Sequence, residues 1–234
     1  MNIALIHQYF RTPEEGGGIR SYYIANYLTR LGHDVRVITA YNKRTYTVRS
    51  VNDFKVHYLP IYYANHLRFW SRIHAFWLFA YNAYRVLKTI GSIDLNYVIS
   101  TPLTTGLVAI LAKKRMGIRY IFEVGDLWPE APVQLGVLKN PLLVSLAKKL
   151  EKRTYAHAQS IVALSTDIKQ YIAEIETATN IEVITNMADT ALFRPSTKPT
   201  NEKFTIGYLG TFGLANHLEY LVEAIKAAPG TVEF

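Results

Sequence analysis

Short apolar runs alternate along this chain with longer stretches of helical periodicity. Ile3-Ala4-Leu5-Ile6, Val35-Arg36-Val37-Ile38 and Ile161-Val162-Ala163-Leu164 are runs of strand length with little polar alternation. The pattern predicts strands over 2–9, 34–40, 54–59, 94–100, 118–124, 160–164, 181–185 and 204–209. It predicts helices over 18–31, 67–89, 102–115, 140–157, 166–174 and 216–228. Strands that are apolar on both faces and separated by helices imply an α/β class with a mainly parallel sheet. Gly32-His33-Asp34 ends the first helix and turns into the second strand, with Gly32 at the left-handed position after the helix.

One stretch breaks the rhythm. Residues 194–203 begin Arg194-Pro195-Ser196-Thr197-Lys198-Pro199, are polar and proline-containing, and carry no apolar periodicity. They read as a linker. Residues 1–193 then form one domain, and 204–234 begin a second with a strand, a glycine turn and a helix. That second piece is too short to build its own core.

Two segments add chemistry to the pattern. Between the first strand and the first helix lies Glu14-Glu15-Gly16-Gly17-Gly18-Ile19-Arg20. Strand, glycine loop and helix place bare backbone N–H groups in front of an anion. A plain connecting turn is the other reading. The spacing is not G-x-G-x-x-G, which argues against a nicotinamide or flavin enzyme. Glu14 and Glu15 would repel a phosphate unless they turn away or pair with Arg11 or Arg20. The second segment is aromatic: Phe69-Trp70, Phe76-Trp77-Leu78-Phe79-Ala80-Tyr81 and Tyr84. On a helical wheel Arg68, Ser71, Arg72, Ala75 and Asn82 form a narrow polar stripe that Phe79 interrupts. Such a helix either lies at a membrane interface or packs on the sheet with its arginine heads reaching water.

Both readings hold if one end is exposed, and the charge along the chain is uneven. Residues 1–120 hold 16 Lys and Arg against 5 Asp and Glu, while 121–234 hold 10 against 13. A basic first half suggests an anionic partner, or simply a surface of solvated Lys and Arg. No helix-turn-helix or ribonucleoprotein sequence supports nucleic acid as that partner. The chain has no cysteine, which rules out disulfides and thiolate metal sites within it. None of its seven histidines has metal-ligand spacing. No signal-peptide pattern and no long uninterrupted apolar run is present, so a cytoplasmic protein without a membrane span is expected.

In parallel α/β sheets ligands bind beyond the carboxyl ends of the strands. There the sequence places His7, Gln8 and Tyr9, the glycine loop, Ser100-Thr101-Pro102, Asp126-Leu127-Trp128-Pro129-Glu130, Ser165 to Asp167, and Asn186 with Asp189. Thr101 is expected to cap the third helix, with Pro102 at its first position. Ser165 to Asp167 reads as a plain helix cap. In the Asp-Leu-Trp-Pro-Glu stretch two carboxylates flank a large aromatic. A carboxylate there orients a sugar hydroxyl or acts as a base. The alternative is that Asp126 caps a short helix and Trp128 fills core.

Taken together these residues resemble the amino-terminal half of a family 4 glycosyltransferase with two Rossmann-like domains, the GT-B type. The resemblance rests on Gly16-Gly17-Gly18-Ile19-Arg20, Gly32-His33-Asp34-Val35, Asp126-Leu127-Trp128-Pro129-Glu130, the 184–195 stretch from Ile184 to Pro195, and Gly207-Tyr208-Leu209-Gly210-Thr211-Phe212-Gly213. The Asp-Leu-Trp-Pro-Glu form is similar to the WbuB-like transferases of O-antigen and capsule synthesis. The resemblance implies a Rossmann-like first domain on the acceptor side and the start of a donor-binding domain. It implies transfer from a nucleotide-diphosphate sugar to a polyprenyl-diphosphate-linked or saccharide acceptor, with retention, no metal and no other cofactor. It also implies work at the inner face of the cytoplasmic membrane, in peripheral contact with anionic lipid. Asp126 and Glu130 would be catalytic. Gly16, Gly17, Gly18, Arg20, Thr101, Trp128, Asn186, Gly210 and Thr211 would bind substrate. Gly125 stands where many members carry His or Arg, and 213–218 lack the usual cations. The donor-binding Glu motif would lie past Phe234, so no turnover is expected from this polypeptide alone. A non-catalytic subunit that needs a partner chain for the donor side is the alternative.

Overall fold

Alternation within the first apolar run sets the two faces of the sheet. In β1 (Asn2–Ile6), Ile3 and Leu5 point to one side, while Ala4 and Ile6 point to the other. The computed structural model describes residues 1–64, 66–195, 207–210 and 216–227. The chain divides into two compact units, Met1–Met187 and Ala188–Phe234.

The first unit is built on an eight-stranded sheet. Its strands are β1, β2 (Asp34–Tyr41), β3 (Thr47–Val51), β4 (Phe54–Pro60), β5 (Leu95–Ile99), β6 (Arg119–Val124), β7 (Ser160–Ala163) and β8 (Ile181–Val183). They lie in the order β3-β4-β2-β1-β5-β6-β7-β8. Every neighbouring pair is parallel except β3 with β4. The helices are α1 (Arg20–Arg30), α2 (Phe69–Leu87), α3 (Thr104–Met116), α4 (Glu130–Gln134), α5 (Pro141–His157) and α6 (Thr166–Ile175). The expected Rossmann-like α/β class is what the structure has.

Each face of the sheet has its own core. Ile3, Leu5, Val35, Val37, Tyr97 and Ile99 pack with Ala25 of α1. On the other face Ile6, Ile38, Val98, Phe122 and Val124 pack with α2, α3, α5 and α6. Burying any one of these aliphatic side chains contributes about 1.5–3 kcal/mol. The chain leaves β1 through α1 towards β2, and leaves β5 through α3 towards β6 on the opposite face. The crevice between these departures, beyond the carboxyl ends of β1 and β5, is the switch point of the sheet.

Close helix packing depends on one glycine. A Cβ on Gly106 of α3 would lie 2.5 Å from Thr154 Oγ1 and 2.8 Å from its Cγ2. Thr154 is buried on α5 and its hydroxyl donates to Leu150 O. Gly106→Ala is therefore expected to cost about 1–3 kcal/mol by overpacking, read as a lower denaturant midpoint for the first unit.

Several sequence expectations need correction. The edge strand β3 was not foreseen, and the short helix after Asp126, α4, begins at Glu130 after Pro129 and is not capped by Asp126. Only Thr47 and Val51 of β3 are even partly buried, so it lacks the apolar run that marks the others. Thr101 does not cap α3. That helix starts at Thr104 with Leu103 before it, and Thr105 Oγ1 instead donates to Ile99 O and Pro102 O. Ser165 does cap α6, accepting from Ile168 N. Gly32 has φ +83, as expected after a helix end.

The second unit is described only in part. Asp189 Oδ1 accepts from the backbone N–H groups of Ala191 and Leu192, closing a turn. Helix α7 (Leu218–Ala227) falls within the helix expected at 216–228. Residues 204–206 of the expected strand and 196–203 of the linker lie outside the described residues, while 207–209 are described and form no strand.

Candidate functional site

The switch-point crevice is assembled from strand ends. After β1, the N–H of His7 donates to Ile38 O, and Gln8 O accepts from Ala40 N and Thr39 Oγ1. His7 Nδ1 sits 2.9 Å from the Ser21 hydroxyl on the first turn of α1. Burial pushes the His7 imidazole down to about 4, so it is neutral at neutral pH. The Gln8 side chain is buried with neither amide atom paired among the described residues.

The glycine loop follows. Thr12 N donates to Glu15 Oε2, which turns that carboxylate back onto its own short 3-10 turn (Pro13–Glu15). Gly16 and Gly17 then take φ +68 and +93, a conformation that favours glycine. Gly16, Gly17 and Gly18 are exposed ahead of α1. Arg20, expected to bind substrate or to pair with Glu14 or Glu15, is engaged elsewhere. Its Nε and Nη2 donate to the two oxygens of Glu123 on β6, at 3.0 and 3.1 Å. Its remaining donors reach the Thr185 and Ile184 carbonyls at 2.7 and 2.9 Å. Tyr97 OH of β5 also donates to Glu123. Burial and the Glu123 charge push the Tyr97 hydroxyl up, so it stays a donor. Arg20 thus ties α1, β5, β6 and the chain after β8 together. Sequence reasoning missed Glu123, although it is the one charge inside the apolar run 120–124.

The ends of β5 and β6 are joined as well. Ser100 N donates to Glu123 O, and Ser100 Oγ accepts from Gly125 N. Thr101 Oγ1 donates to Asp126 Oδ2 at 3.4 Å. Asp126 is exposed and caps no helix; Pro129 precedes α4. Trp128 is half-buried, and its ring meets Phe76 of α2 edge-on at 5.9 Å. Phe76 stacks on Tyr63 at 5.6 Å, and Tyr63 meets Tyr9 at 5.1 Å. These four rings border the crevice from β6 across to β1. Burial foremost, then Tyr63, pushes the Tyr9 hydroxyl up, against the opposing charge of Arg72.

Glu130 turns away from this crevice. Its Oε1 accepts from Gln134, and its Oε2 lies 3.5 Å from Lys148 Nζ on α5. The structure therefore gives the two candidate carboxylates different settings, one open and one held by a cation. Asn186 is exposed beyond β8. Gly210 belongs to the second unit, and Thr211 lies outside the described residues.

A mainly parallel sheet with a polar, aromatic-rimmed crevice at its switch point defines a Rossmann-like domain, and its solved likenesses are of GT-B type. A sucrose-phosphate synthase from Thermosynechococcus elongatus matches with a TM-score of 0.64 at 15% identity, over 83% of this chain and 50% of that one. The catalytic domain of starch synthase IV from Arabidopsis thaliana, bound to ADP and acarbose, matches at 0.55 and 13%, over 85% and 54%. UGT89C1 of Arabidopsis thaliana, complexed with UDP, matches at 0.51 and 12%, over 80% and 49%. The chain thus spans about half the length of these structures. The glycosyl transferase 4-like domain model matches residues 15–187, and the chain belongs to that family. No curated protein matches it in sequence.

Proposed function

We propose that this chain forms the acceptor side of a glycosyltransferase that uses a nucleotide-diphosphate sugar. The observation that carries the reading is Asp126: an exposed carboxylate just past the carboxyl end of β6, one strand from the switch point, held by Thr101 after β5. In the reaction the bond from the anomeric carbon to the diphosphate oxygen breaks and the acceptor oxygen takes its place. Asp126 orients the acceptor hydroxyl and receives its proton. The Gly16-Gly17-Gly18 loop and the amino end of α1 offer backbone N–H groups to an anionic group. The aromatic rim offers flat apolar faces to sugar rings. Residues 1–193 serve as the acceptor domain and 204–234 open the donor domain, joined through 194–203.

The resemblance to WbuB-like enzymes adds the finer reading. The acceptor is a polyprenyl-diphosphate-linked or saccharide intermediate of surface polysaccharide synthesis. Transfer is of hexosyl or N-acetylhexosaminyl type, retains configuration and needs neither metal nor further cofactor. The work takes place at the inner face of the cytoplasmic membrane. ADP and UDP in two of the matched structures support a nucleotide donor.

The test is an assay with nucleotide sugar and lipid-linked acceptor, using an enzyme that contains both halves. Asp126→Asn is expected to lower kcat about a hundredfold with the fold intact. An unchanged rate would remove Asp126 from the chemistry. Turnover by the 234-residue chain alone would overturn the assignment of donor binding to another half.

A further inference from the structure

Helix α2 buries its phenylalanines Phe76 and Phe79 but turns three larger rings outward. Ala75, Phe79 and Ala83 face the core, whereas Trp70, Trp77 and Tyr81 are 69, 53 and 61% exposed. Positions 70, 77, 81 and 88 fall on one line of a 3.6-residue helix, so the three rings stand in a row that ends at Lys88. An apolar groove of about 150 Å³ runs beside the row, between Trp77 and Tyr81 of α2 and Leu107 and Leu111 of α3. A wider groove of about 490 Å³ lies by Tyr62, Leu67 and Trp70. Single exposed apolar residues are ordinary; a row of rings continuous with apolar grooves marks an interaction surface.

The charges around the row select the partner. No Asp or Glu occurs between Asp53 and Asp94, while five Lys and Arg do. The Arg85 guanidinium lies 5.7 Å from the Tyr81 ring centre, and Lys88 Nζ lies 4.8 Å from that of Tyr84. Lys114 and Arg115 are exposed at the end of α3. Among the described residues no helix is long and apolar enough to cross a membrane. Indole and phenol rings settle at headgroup depth, and cations beside them pair with anionic headgroups.

We propose that this face of α2, with the α2–α3 groove, is the surface on which the protein lies against an anionic lipid bilayer. The inference rests on the membrane-side reading above and names the surface that serves it. The same helix supplies Phe76 to the rim of the crevice, so docking along α2 brings the crevice close to lipid-borne acceptors.

Vesicle flotation tests this on the full chain, with phosphatidylcholine vesicles made with and without phosphatidylglycerol. The parent protein should float with the anionic vesicles only. Trp70→Ser/Trp77→Ser/Tyr81→Ser should weaken binding about tenfold or more, and Arg85→Glu/Lys88→Glu should do the same. These side chains are exposed, so circular dichroism melts should match the parent. Binding by the parent that survives the triple substitution overturns the α2 assignment, yet leaves membrane contact standing through another surface. No vesicle binding by the parent overturns both. A parent dimer that the triple variant abolishes, without vesicle binding, makes the face a protein interface and also overturns the proposal. None of these outcomes bears on the sugar-transfer assay.

Discussion

Arg20→Ala is expected to destabilise the first unit by about 3–5 kcal/mol, the usual cost of stranding one member of a buried ion pair. The Glu123 side chain is 2% exposed and the Arg20 side chain 14% exposed. Without the guanidinium, Glu123 keeps, among the described residues, the Tyr97 hydroxyl alone as a hydrogen-bonding partner for its carboxylate, deep in the sheet. The Ile184 and Thr185 carbonyls lose their donors at the same time. Glu123→Ala should cost less, because Arg20 keeps both carbonyls and reaches solvent. Arg20→Lys should fall between parent and alanine, since an ammonium cannot make the two-pronged contact. Urea titrations at neutral pH measure these differences. Loss of less than about 1 kcal/mol in both alanine variants would make the pair a surface-like contact. It would then return Arg20 to the list of free substrate ligands.

Glu151→Gln is expected to stabilise the protein at alkaline pH and to leave it unchanged in acid. Glu151 is 1% exposed on α5, and the Tyr155 hydroxyl donates to its Oε1 at 3.1 Å. Burial pushes its carboxyl up to about 7, with Glu130 adding to the rise while Tyr155 and Lys148 oppose it. The Tyr171 hydroxyl, itself raised by burial and by Glu151, completes the set of groups around it. A carboxyl raised in the folded state holds its proton longer there than in the unfolded chain. The resulting cost is absent below about 4.5, grows as pH rises through the interval, and is complete above about 7. A shift from 4.5 to about 7 is worth about 3 kcal/mol at most. Glutamine still accepts from Tyr155 but never ionises. The parent should therefore lose stability between pH 5 and 7.5 where the variant loses much less, as measured by thermal melts across that range. Parallel curves for the two proteins would show that Glu151 is ionised without penalty.

The strand and helix order of the first unit was readable because its signal is local. An apolar run flanked by breakers, or a 3.6-residue period, needs no knowledge of the partner it packs against. β3 escaped notice because an edge strand buries almost nothing, so its residues carry little pattern. α4 is too short to show a period. The crevice residues were found by the same logic, since topology alone puts strand ends at the site. Their individual roles were not. Arg20 and Thr101 were assigned to substrate through the family resemblance, yet Arg20 is taken up by Glu123, a residue 103 positions away.

Helix α2 marks the boundary most clearly. Periodicity established that the segment is helical, and composition that it is aromatic and free of acidic residues. Which of its faces meets the sheet depends on shape. Ala75 and Ala83 let the backbone approach the strands around Phe79, and the larger indoles fit only outside. The sequence by itself determined the class of fold, the order of its apolar strands and longer helices and the position of the crevice, because hydrophobic periodicity and chain topology act locally. Only the tertiary structure decided which charges are spent holding the fold, which remain open at the crevice, and which aromatic row faces outward. Those outcomes depend on contacts between residues far apart in the chain, where packing volume and desolvation outweigh local preference.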